Sequence, residues 1–204
     1  MNNHTNLLIL SGPSGSGKST LTKHLQENIP HIYFSISTTT RQKREGEIEN
    51  LHYYFVSEEE FKLGIEQGQF LEWAIVHNNY YGTSKAPVEQ ALKEGKIVIF
   101  DIDVQGHRDI KKHYPNACSV FINTKDQETL KQRLISRGTD SKEIIQKRLV
   151  HAYNEMQCLK SFDYLIINEN LEKSKEAILS IAKTLAYRQK AFNFEKVCQE
   201  WKAH

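Results

Sequence analysis

The stretch LLILSGPSGSGKSTL, Leu7 to Leu21, decides the fold. Four apolar residues suited to a buried strand run straight into glycines and serines, and a helix-like pattern begins after Lys18. Within it, Gly12–Ser19 (GPSGSGKS) fits GxxxxGK[ST] at every fixed position, between a strand and a helix as that motif requires. The physical logic is specific. Glycines remove Cβ atoms, so backbone N–H groups can converge on phosphate oxygens. The helix N-terminus adds a partial positive charge. Lys18 carries a full charge to β- and γ-phosphate oxygens, and the Ser19 hydroxyl can ligate Mg²⁺. The loop reads as the grip on a nucleotide triphosphate, which GTPases, ATPases, motors and small-molecule kinases share.

Outward from the loop, 204 residues suit one domain with room for an inserted lobe. Hydrophobic residues at 39% and charged residues at 25% are ordinary for a globular protein. A net charge of +2 is too weak for a nucleic-acid surface, so no nucleic-acid partner is expected. Cys118, Cys158 and Cys198 are sparse, odd in number and without metal spacing, which reads as reduced thiols. MNNHTN has no signal-peptide character, and no apolar run approaches the roughly 20 residues that span a bilayer. The expectation is a soluble cytoplasmic protein with no membrane contact.

Short apolar runs alternate with helical patterns, the signature of a mostly parallel α/β sheet. NLLILS (6–11), KIVIFDID (96–103), ACSVFIN (117–123) and FDYLIIN (162–168) read as its strands, and 18–28 as a helix with Leu21 and Leu25 on one face. Between about 35 and 95 the pattern changes. LHYYFV and FLEWAIV read as strands of a smaller unit around the helix SEEEFKLGIEQG, which Ser57 and Glu60 open as a capping box. Because the main pattern then resumes, 35–95 reads as an inserted lobe, with 1–34 and 96–204 forming the core. Residues 126–160 read as a charged helical hairpin broken near RGTD. From Leu171 a helical pattern continues almost to the C-terminus.

What receives the phosphate is a separate question. A GTPase needs NKxD, and the nearest string, NTKD (123–126), has the wrong order and reads as a strand end followed by a helix cap. Motor ATPases usually need more chain. A nucleotide kinase needs a second anion site. SISTTTRQKREGE (35–47) places Arg41 and Arg44 three apart beside the hydroxyls of residues 37–40. Two guanidinium forks can hold a phosphomonoester by charge-assisted bonds, and Tyr53 and Tyr81 can add phenolic O–H groups.

These segments, in this order, resemble the guanylate kinase family over nearly the whole chain: GPSGSGKST (12–20), TTTRQKREGE (38–47), FLEWA (70–74), NYYGT (79–83), DIDVQG (101–106), RLISRG (133–138), KRL (147–149) and IIN (166–168). The resemblance implies a three-layer P-loop NTPase fold of α/β class, with a mostly parallel central sheet, an inserted mixed α+β GMP-binding lobe and a helical lid at about 126–160. It implies transfer from ATP to GMP, with dGMP as a further acceptor and Mg²⁺ as cofactor. ATP would be held by Gly12, Pro13, Ser14, Gly15, Ser16, Gly17, Lys18, Ser19 and Thr20, with Asn168 near the adenine. Ser37, Arg41, Arg44, Tyr53 and Tyr81 would hold the GMP phosphate, with Glu47 and Gly82 in the same segments. Glu72 and Thr83 would read guanine, with Asp103 nearby. Ser19 would ligate Mg²⁺, and Asp101 would hold its hydration shell. Lys18, Arg41, Arg133, Arg137 and Arg148 would carry the catalytic charge. Lys43 stands where many members have proline, while Arg41, Arg44, Gly46 and Glu47 keep their spacing. Alternatives of other kinds are a non-catalytic interaction module of the same family, which an intact phosphate loop argues against, and a kinase for another monophosphate. The molecule is expected as a monomer or homodimer.

Overall fold

The computed structural model describes residues 5–202 apart from 77, 139, 189 and 190. The chain runs through β1 (Leu7–Ser11), α1 (Lys18–Asn28), β2 (Ile32–Phe34), β3 (Ser37–Thr39), β4 (Tyr54–Phe55), α2 (Glu58–Glu66), β5 (Phe70–Val76), β6 (Asn79–Ser84) and α3 (Lys85–Lys93). It continues through β7 (Ile97–Asp101), α4 (Val104–His113), β8 (Cys118–Asn123), α5 (Gln127–Ser136), α6 (Lys142–Met156), β9 (Tyr164–Ile167), α7 (Leu171–Thr184) and α8 (Phe194–Lys202).

Five of these strands form a wholly parallel sheet in the order β2-β7-β1-β8-β9. β1 lies at its centre and is buried along its whole length, which is why it is apolar on both faces. Side chains alternate across a strand, so Leu8 and Leu10 join Leu21, Leu25, Ile178 and Ala182 on one side. Leu7 and Ile9 join Val88, Leu92, Phe100 and Ile110 on the other. Helices α1 and α7 therefore cover one face, and α3 and α4 the other. Each fully buried leucine contributes roughly 1.5–3 kcal/mol. The loop after β1 opens at the carboxyl edge, with β7 on one side and β8 on the other, where open α/β sheets bind ligands.

A second sheet, ordered β4-β3-β6-β5, is mixed: β3 and β4 run parallel, and the other pairs are antiparallel. Its helix α2 opens with the capping box read from the sequence, Ser57 Oγ accepting from Glu60 N–H at 3.1 Å and Glu60 Oε2 from Ser57 N–H at 2.8 Å. Helix α3 then returns to the main core through Val88, Ala91 and Leu92. Helices α5 and α6 form a hairpin with a small core of their own, Leu130, Leu134, Ile145, Leu149 and Ala152.

The C-terminal segment departs from the expected continuous helix. Helix α7 ends at Thr184, a single 3₁₀ turn spans Leu185–Tyr187, and α8 starts separately. Leu185 and Ala191 are both buried, and Arg188 reaches back to the Asn116 carbonyl at 3.0 Å. Asn193 then caps α8 by accepting from Lys196 N–H at 3.0 Å. Among the described residues no helix is long and apolar enough to cross a membrane.

Candidate active site

The phosphate loop is left open by design of its sequence. Gly17, with φ 103°, stands at the N-cap of α1 and offers its first turn no side chain, and no acidic residue occupies that turn. Helices α2, α4, α5, α6 and α7 are instead capped by Ser57, Asp103, Asp126, Ser141 and Asn170. The amides and dipole of α1 thus stay available to an anion. Gly12 has no alternative: at φ 134° a Cβ would stand 2.0 Å from the Ile122 carbonyl oxygen. Lys18 Nζ donates to the Gly12 carbonyl and, at 3.5 Å, to that of Pro13, which arches its ammonium over the loop.

Residues 12–15 and 17–19 line a cleft of about 360 Å³ together with Asp101, Asp103, Arg137 and Glu155. Asp101 ends β7; burial raises its carboxyl above the ordinary range, and the charge of Lys18 opposes that. Arg137 stands at the end of α5. Ser16 points away, fully buried, and Thr20 is exposed in α1 and does not line the cleft. Arg148 bridges from α6 to the loop, donating to Ser14 Oγ at 2.9 Å and to Asp140 Oδ1 at 3.3 Å. Arg133 and Asn168 lie behind the loop, where both side chains donate to the Ser16 carbonyl.

Glu155 was not flagged by any motif. Its Oε2 is buried without a partner, and burial raises its carboxyl, with Lys18 opposing. The available signal was its place seven residues after Arg148, two turns along one face of α6.

Sheet register builds the second half of the site. Glu72 pairs with Thr83, and Thr83 with Ser37, so the three form a row across β5, β6 and β3 on one face. Tyr81 lies two residues from Thr83 on that face. Thr83 Oγ1 donates to Glu72 Oε1 at 2.5 Å. Burial raises the Glu72 carboxyl above the ordinary range, Thr83 opposes this, and the charges of Asp103 and Asp109 add to it. Gly82 makes the strand contact possible: a Cβ there would stand 2.9 Å from the Glu72 carbonyl oxygen.

Arg41 is forked onto Glu47 at 2.7 and 3.1 Å, and Glu47 also accepts from Arg44 N–H at 2.7 Å. These bonds pull the Glu47 carboxyl down to about 2. Arg41 lies 5.3 Å over the Tyr53 ring, and Tyr53 meets Tyr81 edge-on at 6.1 Å. The segment closes on Glu47, and the Arg44 side chain remains exposed. Among the hydroxyls grouped at 37–40, that of Ser37 has no protein partner among the described residues, while the other three are engaged with the neighbouring strand. Thr38 bonds Ser84 Oγ at 2.8 Å, Thr39 donates to the Tyr80 carbonyl at 2.9 Å, and Thr40 accepts from Tyr80 N–H at 2.9 Å. Asp103 caps α4 through Oδ1, bonded to Gln105 and Gly106 N–H at 3.0 and 2.8 Å, and its charge acts on both Glu72 and Glu155. In NTKD, Asn123 ends β8 and Asp126 caps α5, as read.

Comparison with known proteins shows the family. The guanylate kinase family profile matches residues 4–185. A curated guanylate kinase of Helicobacter pylori strain J99 is 79% identical over 202 residues, covering 99% of this chain and 98% of its own. That of Wolinella succinogenes is 54% identical, covering 97% and 92%. The crystal structure of guanylate kinase from Anaplasma phagocytophilum superposes with a TM-score of 0.68 at 31% identity, covering 87% of this chain and 84% of that one. The chain belongs to the guanylate kinase family.

Proposed function

We propose that the protein transfers the γ-phosphoryl group of ATP to GMP, giving ADP and GDP, and accepts dGMP as well, in purine nucleotide metabolism and GMP recycling. The observation that carries the reading is the pairing of an uncapped phosphate loop with a half-buried glutamate beside a second, arginine-forked anion site. Guanine offers N1–H and N2–H side by side, which one carboxylate can accept together; adenine offers no such pair. An AMP bound there would leave Glu72 desolvated with only the Thr83 hydroxyl as donor, and sites built to bond a polar group reject analogues lacking it by about 10⁴-fold.

No general base is needed, because a phosphate monoester with a second pKa of about 6 is already close to a dianion at neutral pH. The obstacle is repulsion between two polyanions and their alignment. Lys18, Arg41, Arg137 and Arg148 are positioned to offset that repulsion, and Glu47 holds Arg41 in its orientation. Ser19 and Asp101, an oxygen-only pair in the loop cleft, suit Mg²⁺. Bound there, Mg²⁺ would draw charge from the β- and γ-phosphate oxygens. The loop cleft includes none of Arg41, Tyr53, Tyr81 or Glu72. We therefore infer that the 35–95 lobe and the α5–α6 lid close over both nucleotides and exclude water. Three free thiols suit a reducing compartment, the cytoplasm.

A coupled assay offering GMP, dGMP, AMP, UMP and dTMP in turn tests the reading. GMP should have the highest kcat/KM, with AMP lower by about 10⁴-fold. A faster turnover of AMP, UMP or dTMP overturns it.

A further inference from the structure

The Ser16–Gly17 peptide is gripped from behind. Its carbonyl accepts from Arg133 Nη1 at 3.2 Å and from Asn168 Nδ2 at 2.9 Å. Arg133 Nη2 continues to the carbonyl of Asn168 at 2.7 Å, and Asn168 N–H donates to the Asn123 carbonyl at 2.7 Å. The grip is therefore anchored in the central sheet and in α5.

The described peptide bonds are all trans. In a planar trans peptide, the carbonyl and the N–H that follows it point in opposite directions. With the Ser16 oxygen pinned to the rear, the Gly17 N–H is aimed forward, and Gly17 lines the cleft while Ser16 is fully buried. Among the described residues the Gly17 N–H has no acceptor. Glycine and clamp also require each other, because a Cβ on Gly17 would stand 2.1 Å from Asn168 Nδ2.

We propose that Arg133 and Asn168 are positioning residues that set the plane of the Ser16–Gly17 peptide, and so present the Gly17 N–H to the phosphates of the donor nucleotide. The inference rests on reading the loop as the donor site. Asn168→Ala removes one rear donor. Asn168→Asp sets a carboxylate oxygen against the Ser16 carbonyl and favours rotation of the peptide. Arg133→Lys keeps the charge but loses the paired donation.

The test measures ADP and GMP binding by calorimetry, KM for ATP and for GMP, and the Gly17 amide resonance in ¹⁵N-labelled protein. ADP affinity should fall about fivefold in Asn168→Ala and more than about tenfold in Asn168→Asp, with KM for ATP rising in step. Arg133→Lys should lie between wild type and Asn168→Asp. GMP affinity should stay within about twofold, and the Gly17 amide should shift before any nucleotide is added. A folded Asn168→Asp protein that binds ADP like wild type overturns the proposal, as does an equal loss of ADP and GMP affinity. Should the aspartate variant fail to fold, Asn168→Ala decides by the same ratio. Wild-type protein that binds GMP but no ADP overturns the donor-site reading, and the clamp's role with it.

Discussion

Glu72 combines two properties that oppose each other. It must be ionised to accept from two guanine N–H groups, yet burial favours its neutral form. A raised pKa means protonation at higher pH than for an ordinary glutamate. The acid limb of kcat/KM for GMP, which reports free enzyme and free GMP, should therefore contain a Glu72 ionisation above the ordinary glutamate range besides that of the phosphate near about 6, and in Glu72→Gln only the phosphate's should remain. That variant should also lose at least about 100-fold in kcat/KM for GMP, checked by steady-state kinetics over pH 4–8. Glu47 is displaced the other way, to about 2, because Arg41 and the Arg44 amide favour its charge. A depressed carboxyl contributes stability that is present above its unfolded pKa, near 4.5, and is lost as pH falls toward about 2. Carboxyl NMR titration should place Glu47 well below its neighbours, and Glu47→Gln should raise KM for GMP severalfold with little change in KM for ATP. That Arg41 suits a phosphate could be proposed from the sequence, since guanidinium forks fit a phosphomonoester and the motif resembles the family's. The pairing of Arg41 with Glu47 needed the folded loop, because the five intervening residues reveal nothing of the turn.

Among elements, the junction of β1 with α1 is the least tolerant of change. In Gly12→Ala the new methyl meets the Ile122 carbonyl oxygen at 2.0 Å in a backbone region hostile to L side chains. A loss of about 1–3 kcal/mol, or several degrees in Tm, is expected together with loss of nucleotide binding. Helix α4 carries a different liability. His107 is buried, stacks on Phe162 at 3.9 Å and leaves Nε2 unpaired. Burial, with help from the charge of Lys111, lowers its pKa to about 4, and Asp163 opposes only in part. The unfolded chain takes this proton near pH 6.5 and the folded one only near 4, so stability falls as pH drops through that window. The slope is at most about 1.4 kcal/mol per pH unit. Thermal melts of His107→Leu should be flatter than wild type between pH 6.5 and 4. The strongly patterned elements were legible from sequence: β1, β7, β8, β9, and α2 with its Ser57–Glu60 box. The break after α7 was not, because Asn193 was passed over as a cap and the burial of Leu185 and Ala191 is a tertiary effect.

At the scale of the whole molecule, the two proposed nucleotide sites stand on different sheets. The loop grows from the central parallel sheet, and Glu72, Thr83 and Ser37 from the mixed one. The second sheet was harder to read, since β3 and β4 are three and two residues long, too short for alternation to register. Ser37, Glu72 and Thr83 were nonetheless named as candidates there, by the resemblance of their motifs taken in order along the chain. Glu155 was missed because its relevance arises only when α6 folds over the loop. The charge of Asp103 adds to the raised pKa of both Glu72 and Glu155. The central claim is that donor and acceptor phosphates share one closing cleft. Binding of adenosine and guanosine joined through five phosphates tests it most directly, measured by calorimetry with X-ray scattering on the same samples. The account predicts affinity at least about 100-fold above that of either ATP or GMP alone, with a smaller radius of gyration. Affinity no better than the tighter single nucleotide, with unchanged scattering, would contradict it.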